Sequence, residues 1–234
     1  MRQRYEIHLT KRLRNPTFVG VKPIRYLLFD FDGTLADTAD GIVATASETL
    51  RRMGVPDVTP EAIRATIGLP LGAALRIAGN LPEDKEAEAV AIYRTLFAQL
   101  ELDRIRIYPG VAETLAWLAE KGLTMAIATS RGPNSLENIL SRWGIGGYFP
   151  VRATSADGFP SKPAPDMVLA LLERLHASAE ETLVIGDTTF DIGMGNSAGC
   201  RTCAVTYGNH ARERLLTASP TWLIDDFAAL RQLV

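Results

Sequence analysis

Short, almost wholly apolar runs separated by amphipathic stretches set the rhythm of this chain. Tyr26-Leu27-Leu28-Phe29 leads into an acid, Thr124-Met125-Ala126-Ile127-Ala128 into a threonine, and Leu183-Val184-Ile185-Gly186 into another acid. Continuous apolar runs of this length predict strands buried on both faces of a sheet, because a half-exposed strand would alternate. Between and after them, apolar residues recur at helical spacing from Val111 to Lys121, from Pro133 to about Arg142, from Pro165 to Leu175, and beyond Asp187. Proline can open a helix because the first N–H has no partner in any case, and Gly122 supplies a stop. A further short strand is expected from Val151 to Thr154, two more near Cys203 and Trp222, and a closing helix from Asp226.

From about Thr38 to Arg106 the pattern is helical throughout. Gly41 to Arg52 has apolar residues at helical spacing, Thr59-Pro60-Glu61 starts a second helix with a good cap, and Asp84 to Leu102 is rich in alanine and glutamate. The expected fold class is therefore α/β. A Rossmann-like parallel sheet core spans residues 25–37 and 107–234, with an all-helical cap inserted at 38–106. Ligands of such sheets sit beyond the carboxyl ends of the strands. The inserted block is expected to close over that edge, with hinges near 36–38 and 107–110.

Composition changes the picture in two places. Residues 1–24 carry Arg2, Arg4, Lys11, Arg12, Arg14 and Lys22 against a single acid, Glu6. Tyr5 to Thr10 alternates like a strand and Asn15-Pro16 signals a turn before Thr17 to Val21, so a small appended hairpin and a solvated basic arm both fit. The stretch lacks the apolar core of a secretory signal and the serines of a transit peptide. Elsewhere the chain is ordinary: 47% hydrophobic, 22% charged and formally -2, which gives no reason to expect nucleic acid or a membrane as partner. No apolar run approaches the roughly 20 residues that span a bilayer. A cytoplasmic monomer or homodimer is expected. Cys200 and Cys203 form a Cys-x-x-Cys, but they straddle the start of a strand, where residues three apart face opposite ways, so inert buried thiols are expected.

The candidate chemistry lies where apolar strands end. Asp30-Phe31-Asp32-Gly33-Thr34 follows the first strand, and two residues apart in extended backbone send Asp30 and Asp32 to the same side. Gly33 permits the turn that follows. Gly186-Asp187 ends another strand, with Asp191 one helical turn later. Four carboxylates would converge at one sheet edge, and two unit charges about 4 Å apart at an effective dielectric of about 20 repel by about 4 kcal/mol. A divalent cation resolves this, and all-oxygen ligation suits Mg2+. The metal candidates are thus Asp30, Asp32, Asp187 and Asp191. Ala128-Thr129-Ser130-Arg131 offers hydroxyls and N–H groups near a helix start, and Ser161-Lys162-Pro163 places a lysine in a loop. Acids, hydroxyl and lysine together meet the needs of phosphoryl transfer to or from a small phosphorylated metabolite.

Asp30-Phe31-Asp32-Gly33-Thr34, Thr129, Lys162 and Gly186-Asp187 with Asp191 resemble the four ordered motifs of the haloacid dehalogenase superfamily, from about Tyr26 to the C-terminus. Thr34-Leu35-Ala36-Asp37-Thr38, Gly68-Leu69-Pro70-Leu71 and Ser161-Lys162-Pro163-Ala164-Pro165-Asp166 look most like phosphoglycolate phosphatases and related pyrophosphatases. The resemblance implies a small helical cap and a catalytic set of Asp30 as nucleophile, Asp32 as acid and base, and Thr129 and Lys162 on the transferring phosphoryl group. It implies magnesium on Asp30, Asp187 and the Asp32 backbone carbonyl. Asp191 would act directly, through water or by orienting Lys162. Gly33, Ser130 and Arg131 are the candidate substrate contacts, and Arg131, Arg64 and Arg76 could hold a second anionic group. The expected reaction is hydrolysis of a phosphate monoester. A phosphomutase of the beta-phosphoglucomutase type, a pyrophosphatase or nucleotidase, and a non-catalytic phosphate sensor are the alternatives. Asp32 argues against a dehalogenase. A phosphonatase would need a cap lysine, and Lys85 sits in the acidic stretch Glu83 to Glu86.

Overall fold

A computed structural model of the chain describes residues 22–100 and 104–234. The expected N-terminal hairpin or arm lies outside the described residues up to Val21, and the first described basic residue, Lys22, pairs with Glu180 at 3.2 Å.

The apolar runs form the expected parallel sheet. β1 (Tyr26–Phe29) lies between β4 (Thr124–Ala128) and β6 (Thr182–Gly186). β5 (Val151–Ala153) flanks β4 on one side, and β7 (Arg201–Val205) and β8 (Trp222–Ile224) follow β6 on the other. The order is β5-β4-β1-β6-β7-β8, every pair parallel. The pleat explains why β1 had to be apolar throughout. Leu27 and Phe29 point into a core shared with α5 (Val111–Glu120) and α6 (Pro133–Trp143), whereas Leu28 points into the opposite core under α7 (Asp166–Leu175) and α8 (Thr189–Ser197). All three are fully buried. Burying a side chain of this size contributes about 1.5–3 kcal/mol.

Between β1 and β4 the chain leaves the sheet through β2 (Ala36–Asp37) and returns through β3 (Arg106–Ile107), an antiparallel pair with Ala36 opposite Ile107. Strands of two residues are too short for any periodicity to announce them. Between them lie α1 (Ala39–Arg52), α2 (Pro60–Arg64), α3 (Leu71–Gly79) and α4 (Glu86–Leu100), which bury their own apolar cluster of Ala46, Leu50, Ile63, Leu75 and Tyr93 among others. The Thr59 cap is made as expected, its hydroxyl accepting from the Ala62 N–H at 3.2 Å.

Two boundaries differ from expectation. The helix expected from Asp84 begins with a separate 3-10 turn, Glu83–Lys85, and the closing segment Phe227–Gln232 is 3-10 rather than α. Asp226 caps the latter, accepting from the Ala229 N–H at 3.0 Å. A short α9 (Arg212–Thr217), anchored by buried Leu215, was not anticipated. Cys200 and Cys203 are buried and free; burial pushes the Cys200 thiol up to about 12 and the Cys203 thiol higher still. No helix of the described residues is long and apolar enough to cross a membrane.

Candidate active site

Sheet register brings the strand-end residues together. Phe29 pairs with Ile127 on β4 and with Ile185 on β6, so Asp30, Ala128 and Gly186 sit level at the carboxyl edge. Thr129 and Asp187 come one residue later on either side. The chain winds outward in opposite directions from β1 and β6, and such a switch point opens a crevice between neighbouring strand ends.

Lys162 enters that crevice buried, 3% exposed. Its ammonium donates to Asp30 Oδ1 at 2.6 Å, to Asp191 Oδ1 at 2.7 Å and to the Ala128 carbonyl at 2.8 Å, which satisfies all three of its protons. Asp191 is also the third residue of α8, and its other oxygen accepts from the N–H and hydroxyl of Thr188 at 3.0 and 2.6 Å. Thr188, not Asp187, caps the helix. Asp191 thus helps to hold the Lys162 ammonium beside Asp30.

Asp187 is fully buried and held on both oxygens. Thr34 donates its hydroxyl to Oδ1 at 3.2 Å, and Asn209 donates its backbone N–H and its side-chain amide to Oδ2 at 2.7 and 2.8 Å. Asn209 was not singled out from the sequence; it follows β7 in a loop with no periodic signal. Gly33 makes room for this arrangement. It has φ +89°, and a Cβ there would lie 2.1 Å from Asp187 Oδ2 and 2.3 Å from the Asn209 amide. Gly33 therefore packs against Asp187 and is not among the residues that border the cavity over Asp30.

Oxygens of Asp30, Asp187 and Asp191 lie within 4.8 Å of one another, and all three residues are buried. The Asp32 carboxylate is not in this group. It accepts instead from Arg131, from Nε at 3.0 Å and Nη2 at 2.6 Å. Arg131 is correspondingly committed: its guanidinium also donates to Ser135 at 2.6 Å and packs against the rings of Phe31 and Phe97. Thr129 is buried, and its hydroxyl accepts from the Arg131 N–H at 3.1 Å. Ser130 reaches the other way, donating to the Gly68 carbonyl at 2.9 Å and tying the sheet edge to the helical block. Arg64 and Arg76, candidates for a second anionic group, pair instead with Asp40 at 2.5 Å and Glu86 at 3.3 Å.

Three buried carboxylates against one ammonium leave an excess of two negative charges. The strain is visible in the acids. Burial, and then Asp191, push the Asp187 carboxyl up to about 7 despite the hydrogen bonds from Asn209 and Thr34. Burial raises the Asp30 carboxyl as well, opposed by Lys162. Burial alone would lower the Lys162 ammonium, but Asp191 and Asp30 outweigh it and hold the proton more firmly than usual. A charge of two on all-oxygen donors matches a hard divalent cation, so the residues fit the expected metal. Above the group lies a cavity of about 550 Å3, bordered by Asp30, Asp32, Thr129 and Arg131 below and by Ile63, Leu75 and Phe97 of the helical block above.

Comparison with known proteins agrees with this geometry. The family model described as haloacid dehalogenase-like hydrolase matches residues 27–205. "Probable phosphatase IndB" of Dickeya dadantii is 37% identical, covering 89% of this chain and 91% of that protein. "Phosphoglycolate phosphatase" of Vibrio parahaemolyticus is 31% identical, covering 90% of this chain and 96% of its own. The crystal structure of a predicted phosphatase from Clostridium acetobutylicum superposes with a TM-score of 0.81 at 26% identity, over 90% of this chain and 98% of that one.

Proposed function

This chain belongs to the haloacid dehalogenase-like hydrolases and is a phosphatase, and we propose that it hydrolyses a small-molecule phosphate monoester through a covalent phosphate on Asp30. The observation that carries this reading is the placement of Asp30. It borders the substrate cavity on one side and meets the Lys162 ammonium at 2.6 Å on the other.

In the first step an Asp30 carboxylate oxygen attacks phosphorus and the ester P–O bond breaks. Asp32, which borders the same cavity, gives its proton to the departing alkoxide. In the second step Asp32 takes a proton from water as that water attacks phosphorus. The bond to Asp30 then breaks, and phosphate and the free carboxylate result. Thr129 and Lys162, flanking Asp30, offset charge on the phosphoryl oxygens as it moves. Asp191 keeps Lys162 aimed at Asp30, and Arg131 keeps the Asp32 carboxyl turned toward the cavity. Asp30, Asp187 and the Asp32 carbonyl, backed by Asp191, would hold Mg2+, which supplies charge neutralisation and polarises phosphoryl oxygens when bound.

The helical block of residues 38–106 serves as the cap, pivoting at the β2–β3 pair and excluding bulk water while the covalent phosphate exists. Phosphate release from a panel of esters, with Mg2+ and with EDTA, in wild type and Asp30→Asn, tests the reading. Metal-dependent release that vanishes in the variant is expected. Undiminished release by Asp30→Asn would overturn the assignment of the nucleophile. Phosphoglycolate belongs in the panel because relatives bear its name.

A further inference from the structure

The cavity over Asp30 has two unlike walls. Its volume, about 550 Å3, falls in the range of roughly 300–1,000 Å3 that encloses ligands of many heavy atoms. A two-carbon leaving group would leave most of it unfilled. The wall contributed by the helical block is aliphatic and aromatic: Ile42, Leu71, Ala74 and Phe97 border the cavity with part of their surface exposed, and Ile63 and Leu75 border it almost wholly buried. Thr66 on that wall spends its hydroxyl on the Ile63 carbonyl at 2.7 Å. The wall contributed by the core is polar but uncharged beyond the phosphoryl site. Asn134 and Asn138 stand one turn apart at the start of α6, with Ser155 near them.

Among the described residues, Arg94 and Arg131 are the arginines that border the cavity. The Arg131 charge is offset by Asp32, and its guanidinium lies between Phe31 and Phe97, 5.8 and 5.7 Å from the ring centroids. Arg64 and Arg76 have acidic partners and do not border the cavity. Arg94 borders it but is exposed, at the rim. A carboxylate laid against Leu71, Ala74 and Phe97 would give up its water there, a costly desolvation. An apolar ring in the same place would remove hydrocarbon from water on both sides.

We propose that the leaving group of the natural substrate is a neutral, ring-bearing alcohol, its apolar face laid against the helical wall and its polar edge toward Asn134 and Asn138. The inference rests on the phosphomonoesterase reading above and narrows its substrate class. It sets Ala74 and Phe97 beneath the ring.

Steady-state kinetics with Mg2+ on benzyl phosphate, ethyl phosphate and phosphoglycolate test it, all three being esters of unactivated alcohols. A single methylene in a hydrophobic pocket is worth roughly 10–200-fold in kcat/KM. Benzyl phosphate should therefore exceed both ethyl phosphate and phosphoglycolate by at least about tenfold. Ala74→Lys, which sets an ammonium on the aliphatic wall, should lower kcat/KM for benzyl phosphate and raise it for phosphoglycolate, narrowing the ratio at least about tenfold. Preference for phosphoglycolate or ethyl phosphate in wild type would overturn this inference and leave the phosphomonoesterase reading standing, as would a ratio unchanged by Ala74→Lys. Release from none of the esters, with wild type and Asp30→Asn alike, would overturn that reading and this inference with it.

Discussion

Arg131 grips the carboxylate of Asp32 through both Nε and Nη2, at 3.0 and 2.6 Å, across 99 residues of sequence. Both side chains are largely buried, 7% and 14% exposed, so solvent screens the pair only weakly. The pair holds the Asp32 carboxyl at the cavity, where the proposed mechanism needs a proton for the leaving oxygen. Replacing Arg131 by Ala should lower kcat by about 10- to 100-fold through loss of that orientation. General acid–base catalysis contributes about 10²- to 10⁴-fold in all. Arg131→Lys should recover only part, since one ammonium cannot reproduce a two-pronged contact. Full kcat in Arg131→Ala would mean that Asp32 is positioned by other means.

Lys162 is the one cation among the described residues that touches the carboxylates of Asp30 and Asp191 directly. Lys162→Met should abolish phosphate release and also destabilise the metal-free protein by about 3–5 kcal/mol, because it strands buried charge. A divalent ion should restore part of that stability without restoring activity. Denaturant titrations with EDTA and with Mg2+ check this, and a variant as stable as wild type in EDTA would refute the balance of one ammonium against three carboxylates.

Asp187 lets the same balance be read as a pH dependence. Its folded value, about 7, lies above its ordinary 3.8 because of burial and Asp191. With the folded value raised, the stabilising contribution of the neutral acid is complete below about pH 4 and is lost as pH rises through about 7. Asp187→Asn cannot ionise, so in EDTA it should gain stability relative to wild type steadily across that window, at up to about 1.4 kcal/mol per pH unit. With Mg2+ at neutral pH the order should reverse, because only wild type binds the ion well. A wild-type-minus-variant difference flat with pH would mean that Asp187 titrates as an ordinary carboxylate.

Much of this site was legible because each element announces itself locally. An apolar strand that ends in an acid or a threonine needs no partner to be noticed, and Asp30, Thr129 and Asp187 were found that way. Their convergence also followed, since parallel strands align their carboxyl ends. Relationships that exist only after folding were not legible. The sequence marks Arg131 as a cation free for substrate, because nothing local distinguishes a free arginine from one paired 99 residues away. Asn209 carries no pattern at all, and the two-residue strands β2 and β3 are shorter than any period. The apolar wall of the cavity was hidden for a different reason: Leu71 and Phe97, which border it, also pack against the core of the helical bundle.

Asn209 is the missed residue with the clearest consequence. Its two hydrogen bonds to Asp187 Oδ2, at 2.7 and 2.8 Å, aim that carboxylate and favour its charged form. Asn209→Ala removes the side-chain bond and keeps the backbone one. Loss of such a supporting contact commonly weakens metal affinity about 10- to 100-fold. Calorimetric titration with Mg2+ or Mn2+ should show the lower end of that range, with kcat at saturating metal close to wild type. Unchanged affinity would remove Asn209 from the metal-supporting role.

Ser130 joins core and helical block by one bond, its hydroxyl donating to the Gly68 carbonyl at 2.9 Å. If the block is a cap that closes over Asp30, this bond belongs to the closed form and is broken in the open one. A neutral hydrogen bond contributes a net 0.5–1.5 kcal/mol or so, which shifts a two-state equilibrium by roughly two- to tenfold. Ser130→Ala should therefore open the molecule by about that factor, raising KM while leaving the chemical step intact once substrate is enclosed. Small-angle scattering with and without a phosphate mimic should show the variant more extended when free and equally compact when bound. A variant with wild-type KM and identical scattering in both states would mean that the block stays fixed over the sheet edge, and substrate would then have to enter past the exposed rim at Arg94.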